Sequence, residues 1–216
     1  MTKLSALLGV LMISVLLALS PAAASAAIPG PVGSWGFDDA GGTTAADATG
    51  AGLTGTVNGP TWAAGGKFGG ALSFDGVNDT VAVADVNALD LTNGMTLEAW
   101  VRPSVLNGWQ TVILKERPGD LAFALYGNSS ATRPATHIWT TADVGVNATA
   151  ALALALNTWT HLAATYDGAT LRLYANGTQV ATRAAAPPIQ VSSSPLRFGG
   201  NTIWGEYFSG LIDEIR

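Results

Sequence analysis

Apolar and polar residues alternate with a period of two along much of the chain, most clearly past its middle. Residues 159–166 alternate in this way, and residues 171–175 do so again after the turn Asp167-Gly168-Ala169. Alternation places successive side chains on opposite faces of a sheet, and Asp and Gly are typical turn residues. Asn176-Gly177 gives a second hairpin turn into residues 178–182. Two successive hairpins predict an antiparallel meander, and therefore an all-β domain.

Short runs of the same kind recur on both sides of these hairpins, separated by Gly, Pro, Asn and Asp. Residues 150–156 contain only Ala and Leu, which favour helices, but Leu152, Leu154 and Leu156 follow a period of two, which favours a strand. Many short strands without a helical period predict two antiparallel sheets packed face to face. Besides the two hairpins, strands are predicted at residues 32–37, 53–57, 71–74, 80–84, 95–101, 111–115, 121–126, 135–140, 150–156, 196–198 and 207–215.

The N-terminus has the three parts of a secretory signal peptide. Lys3 gives a positive start, residues 4–19 form an apolar run, and Ala24-Ser25-Ala26 is a small-residue cleavage site. A membrane anchor is the alternative, since about 20 apolar residues span a bilayer, but Pro21 and the small residues favour cleavage. We therefore expect a signal peptide over residues 1–27 and an exported domain over residues 28–216. Because residue 216 falls inside the last predicted strand, either that strand is short or the chain is a piece of a longer protein.

Composition and charge narrow the range of partners. The 216 residues suit a single domain with a sizeable core. The net charge of -5 at pH 7, without any cluster of Lys or Arg, argues against binding to nucleic acid. The absence of Cys excludes disulfides and thiolate metal sites, and in an exported protein it is more typical of bacteria. No segment after the signal peptide is apolar enough to span a bilayer, so we expect no membrane partner after cleavage.

Five segments together carry a family resemblance. Residues 159–177 read W-T-H-L-A-A-T-Y-D-G and then L-R-L-Y-A-N-G. The others are G-S-W-G-F-D at 33–38, A-L-S-F-D-G at 71–76, M-T-L-E-A-W-V at 95–101 and F-S-G-L-I-D-E-I-R at 208–216. In this order they resemble the laminin-G-like jelly rolls of the concanavalin A-like lectin/glucanase superfamily, from about residue 33 to residue 216. The resemblance implies an all-β fold, a two-sheet antiparallel jelly-roll β-sandwich, but no single function, because such folds host many unrelated sites.

The resemblance also implies a structural calcium ion. In the family such an ion commonly lies between the N-terminal strand, a glycine turn and an Asp near the C-terminus. These positions correspond to Asp38, the Gly76 carbonyl and Asp213, with Asn78 or Asp75 as a further ligand. Calcium takes six to eight oxygen ligands, which carboxylates and turn carbonyls supply. The alternative is that Asp38 and Asp75 only form turns and that Asp213 faces solvent.

Catalysis is the less favoured reading of the acidic residues. Glycoside hydrolysis needs two carboxylates facing each other across the sugar. Glu98 stands alone in its predicted strand, and Asp213 and Glu214 are adjacent and so point to opposite faces. His137 and His161 are isolated, and without Cys they do not make a zinc site. The sequence therefore favours a protein that is not an enzyme.

Aromatic residues near loops are the candidate ligand-binding groups. Trp109, Trp139 and Trp204 lie in or near predicted loops, with Tyr207 and Asn201 close to the last of them. Trp and Tyr combine a flat apolar face with a polar group, which suits sugars, but Trp109 and Trp204 could instead cap the open ends of the sandwich.

The leading hypothesis is a lectin-like carbohydrate- or glycoconjugate-binding module. The second is a protein–protein adhesion or structural accessory domain, and the third is a glycoside hydrolase. The expected partner is a glycan or an extracellular protein.

Overall fold

The computed structural model describes residues 30–216, so the predicted signal peptide lies outside the described residues. The described part consists of short strands and one 3-10 helix at Asn87–Leu89. In these residues we find no helix with the length and apolar character that a membrane crossing requires. The strands are β1 Thr44–Ala45, β2 Gly55–Asn58, β3 Thr61–Ala63, β4 Ala71–Asp75, β5 Thr80–Val83, β6 Met95–Pro103, β7 Gln110–Arg117, β8 Asp120–Asn128, β9 Ala135–Trp139, β10 Gly145–Thr149, β11 Thr160–Tyr166, β12 Thr170–Ala175, β13 Thr178–Ala184, β14 Leu196–Phe198 and β15 Ser209–Asp213.

These strands form two antiparallel sheets, as the sequence predicts. The eight-stranded sheet has the order β1-β2-β5-β14-β7-β8-β9-β10, and the seven-stranded sheet has the order β13-β12-β11-β6-β15-β4-β3. Strands that are distant in sequence, such as β5 and β14, are neighbours, so the chain crosses repeatedly between the sheets. The predicted jelly-roll sandwich is confirmed.

Both predicted hairpin turns are present, and their side chains account for their shape. The Asp167 carboxylate accepts hydrogen bonds from the N–H groups of Ala169 at 3.0 Å and Thr170 at 2.8 Å. Asn176 and Gly177 have φ angles of 49° and 76°, which fit the tight turn between β12 and β13. Local turn chemistry therefore sets the register of the meander β11-β12-β13.

The core lies between the inner faces of the two sheets. Alternate residues of the central strand β6, namely Leu97, Ala99 and Val101, are buried and face Phe123 and Leu125 of β8. Hydrophobic burial of this kind, on the order of 25 cal/mol per Å² of apolar surface, provides the main driving force for folding. The residues that alternate with them point away from the core, where their side chains can contact other groups.

The predicted first strand, residues 32–37, is reduced to a single β-bridge. Trp35 pairs with Ile215, and their backbone N–H and carbonyl groups exchange hydrogen bonds of 2.9 and 3.0 Å. Phe37 has a φ of 53°, which lies in the left-handed region and ends the extended conformation. The bridge nevertheless joins the two ends of the described chain.

The strand predicted at residues 150–156 is wrong. The strand in this part of the chain is β10, Gly145–Thr149, which ends just before these residues and pairs with β9. Leu152 is 80% exposed and Leu156 is 49% exposed, so two of the three leucines that suggested a buried face do not reach the core. The chain leaves the sheet after Ala150, whose N–H donates to the Pro134 carbonyl. The alternating residues 150–156 therefore have no neighbouring strand with which to pair.

Candidate functional site

A cleft of about 640 Å³ lies on the outer face of the eight-stranded sheet. Its floor comes from β8 and β9, where Tyr126, His137 and Trp139 point away from the core. They do so because they alternate with the core residues Leu125 and Ile138. The loop between β6 and β7 forms one wall, and the loop between β14 and β15 forms another. This surface is hereafter called the outer cleft.

Three rings pack together on the floor of the outer cleft. Trp109 meets Tyr126 nearly edge to face, with ring centroids 4.8 Å apart, and it meets His137 at 5.5 Å. Tyr126 and His137 are 6.0 Å apart at 85°. Edge-to-face pairs of this kind add to the stability from area burial alone. Trp109, which belongs to the wall formed by the loop between β6 and β7, is therefore half-buried against the two rings of the floor.

Trp139 is held in one orientation by its neighbours. Its Nε1 donates a 2.9 Å hydrogen bond to the Asp143 carboxylate, and the Arg117 guanidinium lies 4.8 Å from the ring centroid. Gly145 is its cross-strand partner, and a Cβ there would come within 2.6 Å of the ring. The glycine therefore makes room for the indole. Trp204, by contrast, is 47% exposed where it lines the outer cleft.

Glu206 forms the polar centre of the loop between β14 and β15. Its Oε2 accepts hydrogen bonds from the Tyr126 hydroxyl at 3.1 Å and from Asn201 Nδ2 at 2.8 Å. Burial raises the pKa of Glu206, although these two hydrogen bonds oppose the rise. Burial, together with the nearby Glu206 carboxylate, raises the pKa of Tyr126 as well. The tyrosine therefore stays a hydrogen-bond donor at physiological pH.

Asn201 is fully buried and supports the outer cleft from behind. Its Nδ2 also donates to Thr111 Oγ1 at 2.9 Å, and its Oδ1 accepts from the Trp204 N–H at 2.9 Å. One side chain thus links β7, the Glu206 carboxylate and the backbone of Trp204. Asn201 is not among the cleft-lining residues, so its role here is to position others.

His137 presents a polar atom that the protein leaves unused. Its Nε2 is buried and has no hydrogen-bond partner among the described residues. Burial lowers the pKa of His137, and the charge of Asp120 only partly opposes this. Asp120 itself pairs with Arg117 at 2.9 Å. At neutral pH the imidazole is therefore neutral, and its Nε2 lies beneath the surface of the floor.

Four of the five aromatic and polar residues predicted for ligand binding meet at this one place. Trp109, Trp139, Trp204 and Tyr207 line the outer cleft, and Asn201 lies behind it. Sequence reasoning missed Asp120, Tyr126, His137 and Glu206. The alternation of β9 places His137 on the face of Trp139, which could have drawn attention to it, but no local signal marks the others.

The four residues predicted to hold calcium do not form one site. Gly76 and Asn78 follow β4, whose Asp75 pairs with Ser209 at the start of β15, whereas Asp213 ends β15. Ser209 and Asp213 are four positions apart along β15, which is about 13 Å. The antiparallel register of β4 and β15 is the physical reason. In residues 30–216 no group of three or more His, Asp or Glu side chains is suitably arranged around a metal ion.

Asp38 and Asp213 do hold one shared element, the loop at residues 66–70. Asp38 Oδ1 accepts from the Gly70 N–H at 2.6 Å, and Asp213 Oδ2 accepts from the N–H groups of Lys67 and Phe68 at 2.7 and 2.9 Å. Burial raises the pKa of Asp213, and the backbone hydrogen bonds oppose the rise. Asp213 Oδ1 is buried with no hydrogen-bond partner among the described residues.

The two antiparallel sheets packed face to face define a jelly-roll β-sandwich. A laminin-G family model, described as the concanavalin A-like lectin/glucanases superfamily, matches residues 75–216. The chain belongs to this family, and the predicted resemblance is confirmed. A search of the curated proteins finds no relative that matches.

Solved structures with the same fold include bacterial and animal domains. Domain 4 of AbnA, an extracellular GH43 arabinanase from Geobacillus stearothermophilus solved with arabinotriose, superposes with a TM-score of 0.70 at 22% identity, covering 86% of this chain and 90% of that one. The binding domain of Paraclostridial Mosquitocidal Protein 1 gives 0.68 at 15% identity, covering 85% and 47%. Domains LG4-5 of the mouse laminin alpha1 chain give 0.54 at 16%, covering 68% and 40%. At these identities the likeness concerns the fold.

Proposed function

We propose that this chain is an exported, non-catalytic carbohydrate-binding module and that the outer cleft receives the sugar. The observation that carries the proposal is the placement of Trp139 and Trp204 with Glu206 and His137 around one cleft. Sugar rings have apolar C–H faces that pack on aromatic rings and hydroxyls that hydrogen bond to polar groups. Ligand sites typically have a volume of about 300–1,000 Å³ and combine apolar walls with a few placed polar groups.

The rigidity of the outer cleft supports the same proposal. Trp139 is fixed by Asp143 and Arg117, and the loop that carries Trp204 is tied to β7 through its own Asn201. Side chains that are ordered before the ligand arrives lose little entropy on binding, so more of the contact energy appears as affinity. The signal peptide predicted for residues 1–27 supports export.

The structural neighbours favour a glycan over other ligands. The arabinanase domain was solved with arabinotriose, and this chain covers most of that domain. Adhesion to an extracellular protein is the second candidate, since Phe68 is 55% exposed beside Trp100 on the other sheet. Catalysis has less support, because Glu98 on that sheet is engaged by Arg216 at 3.0 Å and His161 at 3.5 Å.

A glycan and polysaccharide panel tests the proposal. We expect the folded domain to bind a subset of the panel, and Trp204→Ala to weaken that binding by about tenfold or more, equivalent to roughly 1.4 kcal/mol. Trp204 is 47% exposed, so the substitution should change stability little. Isothermal titration calorimetry measures the affinity, and circular dichroism verifies the fold.

Phe68→Ala is the matched control for this experiment. Phe68 is also a large exposed aromatic, but it lies in the loop of residues 66–70, beside Trp100 of the seven-stranded sheet. Glycan binding should survive Phe68→Ala unchanged. A folded protein that binds no glycan would sink the carbohydrate proposal, and equal losses in both variants would remove the outer cleft as its site.

We further propose that calcium stabilises the scaffold at the loop of residues 66–70. Asp213 Oδ1 is a buried carboxylate oxygen without a partner, and Asp38 holds the same loop. Carboxylates and backbone carbonyls are the ligands that calcium prefers, and a hard cation offsets the cost of burying an unpaired charge. Gly76 and Asn78 are not part of this site.

Calcium removal tests this second proposal. An ion present at about 100 times its dissociation constant adds roughly 2.7 kcal/mol of stability. For a domain of this length we therefore expect the Tm to fall by about 5–10 °C in EDTA. Differential scanning calorimetry with magnesium as the control cation measures the shift. Identical Tm values with calcium and with EDTA would rule the ion out.

A further inference from the structure

We infer that the outer cleft selects uncharged glycans and excludes those that carry a carboxylate, sulfate or phosphate. The inference rests on the proposed function, and it names the class of sugar that the same site accepts. It follows from three observations: the charges around the cleft, the immobility of the Glu206 carboxylate, and the hydrogen-bonding capacity that remains free.

The charged residues that line the outer cleft are both acidic. They are Asp120 and Glu206, and no Lys or Arg lines the cleft within the described residues. Asp120 is compensated, because Arg117 lies 2.9 Å from its carboxylate. Glu206 is bonded only to neutral groups, the Tyr126 hydroxyl and the Asn201 amide, and makes no ion pair within residues 30–216. Burial raises the pKa of Glu206, but its two hydrogen bonds favour the ionised form, and in that form the outer cleft carries one uncompensated negative charge.

The Glu206 carboxylate cannot turn away from an incoming anion. Its Oε2 is held by two donors, and one of these, Asn201, is fully buried and bonded to Thr111 and to the Trp204 backbone. An exposed acid would swing into solvent and be screened by water and salt. A fixed, partly buried one repels a second anion strongly, because the effective dielectric constant is lower there.

The free hydrogen-bonding capacity fits hydroxyl groups. Oε1 of Glu206 makes no hydrogen bond to the described residues, and a carboxylate accepts strong charge-assisted bonds from hydroxyl donors. A neutral sugar supplies hydroxyl donors to the carboxylate, whereas a uronate or a sulfate presents further acceptors in their place. Attraction to neutral rings and exclusion of anionic rings thus come from the same residue.

Matched pairs of oligosaccharides test the inference. The probes are galactotriose, cellotriose and laminaritriose, each with its counterpart oxidised at C6 to the uronate, on the wild-type chain and on Glu206→Gln. We expect the wild type to prefer the neutral member of any bound pair by at least tenfold, and this preference to shrink as salt rises. Glu206→Gln keeps the side-chain size and removes the charge. It should bind the neutral sugar more weakly and reduce the preference to about twofold.

Glu214→Gln is the control for a change in overall charge. Glu214 pairs with Arg216 at 2.7 Å and is not among the cleft-lining residues, so this variant should retain the wild-type preference. Equal binding of neutral and oxidised sugars by the wild type overturns the charge inference and leaves the carbohydrate proposal standing. An unaltered preference in Glu206→Gln also overturns it. If none of the six sugars binds but a member of the glycan panel does, that neutral member and its counterpart oxidised at C6 replace them as the matched pair. If no panel member binds, both proposals fall together.

Discussion

Trp35→Ala is expected to lower the free energy of unfolding by about 3–5 kcal/mol, the largest loss that we expect from a single substitution in this domain. Trp35 is 2% exposed and its ring lies 4.8 Å from that of Phe198. Its Nε1 donates a buried 2.8 Å hydrogen bond to the Leu53 carbonyl. Truncation would leave a cavity and an unsatisfied carbonyl, both of which destabilise the fold. Urea denaturation with linear extrapolation measures the loss.

Two further variants make this prediction decisive. Trp35→Phe keeps most of the packing and gives up the hydrogen bond, so it should cost about 1–2 kcal/mol and remain measurable if the alanine variant does not fold. Trp62→Ala removes another indole, one that is only partly buried and whose Nε1 bonds to Gly42 at an exposed site. A loss at Trp35 no larger than the loss at Trp62 would contradict the central role of Trp35 in the core.

The hairpins were predicted correctly from the sequence because interactions between residues close in sequence determine them. Asp167 folds its carboxylate onto the next turn, and Asn176 and Gly177 adopt the positive φ angles that their turn requires. Such effects involve neighbours in sequence, so the pattern of residues reveals them. Alternation in β6 and β11 is equally visible because both strands lie inside a sheet with one buried face.

The predictions failed where contacts between segments distant in sequence determine the structure. Residues 150–156 alternate as a strand does, yet Leu152 is 80% exposed because no strand pairs with it. Phe37 ends the first strand because the chain must turn there towards the loop that Asp38 holds. The predicted calcium ligands lie apart for a similar reason, because the register between β4 and β15 cannot be predicted from the sequence of either strand alone.

The outer cleft shows both the reach and the limit of sequence reasoning. Trp109 and Trp204 were predicted as ligand-binding candidates because they lie near predicted loops and their flat rings with a polar group suit sugars, with capping of the sandwich as the alternative. Their convergence depends on β8 and β9 lying beside β7, which only the sheet order provides. Glu206 drew no attention as a single acid in a loop, and its importance comes from Tyr126 and Asn201, which are 80 and 5 residues away.

Asp213→Ala is expected to lower the free energy of unfolding by about 2–4 kcal/mol. Its Oδ2 accepts hydrogen bonds from the N–H groups of Lys67 and Phe68 at 2.7 and 2.9 Å, and Asp213 is fully buried. Removing the acceptor would leave two donors unsatisfied, at roughly 1–3 kcal/mol each when they cannot reach water. Thermal and urea denaturation in EDTA measure this contribution without any bound cation.

Asp213→Asn separates the hydrogen bonds from the charge. Asparagine keeps one acceptor oxygen for the loop, so in EDTA it should cost less than alanine, about 1 kcal/mol. Because it lacks the carboxylate, it should also lose the gain in Tm that calcium is proposed to give the wild type. Asp39→Ala is the control, since Asp39 is exposed and its carboxylate accepts a single 3.2 Å hydrogen bond from the Ala46 N–H. If Asp213→Ala proves no more harmful than Asp39→Ala, the loop is not held by this carboxylate. If Asp213→Asn retains the full response to calcium, the ion binds elsewhere.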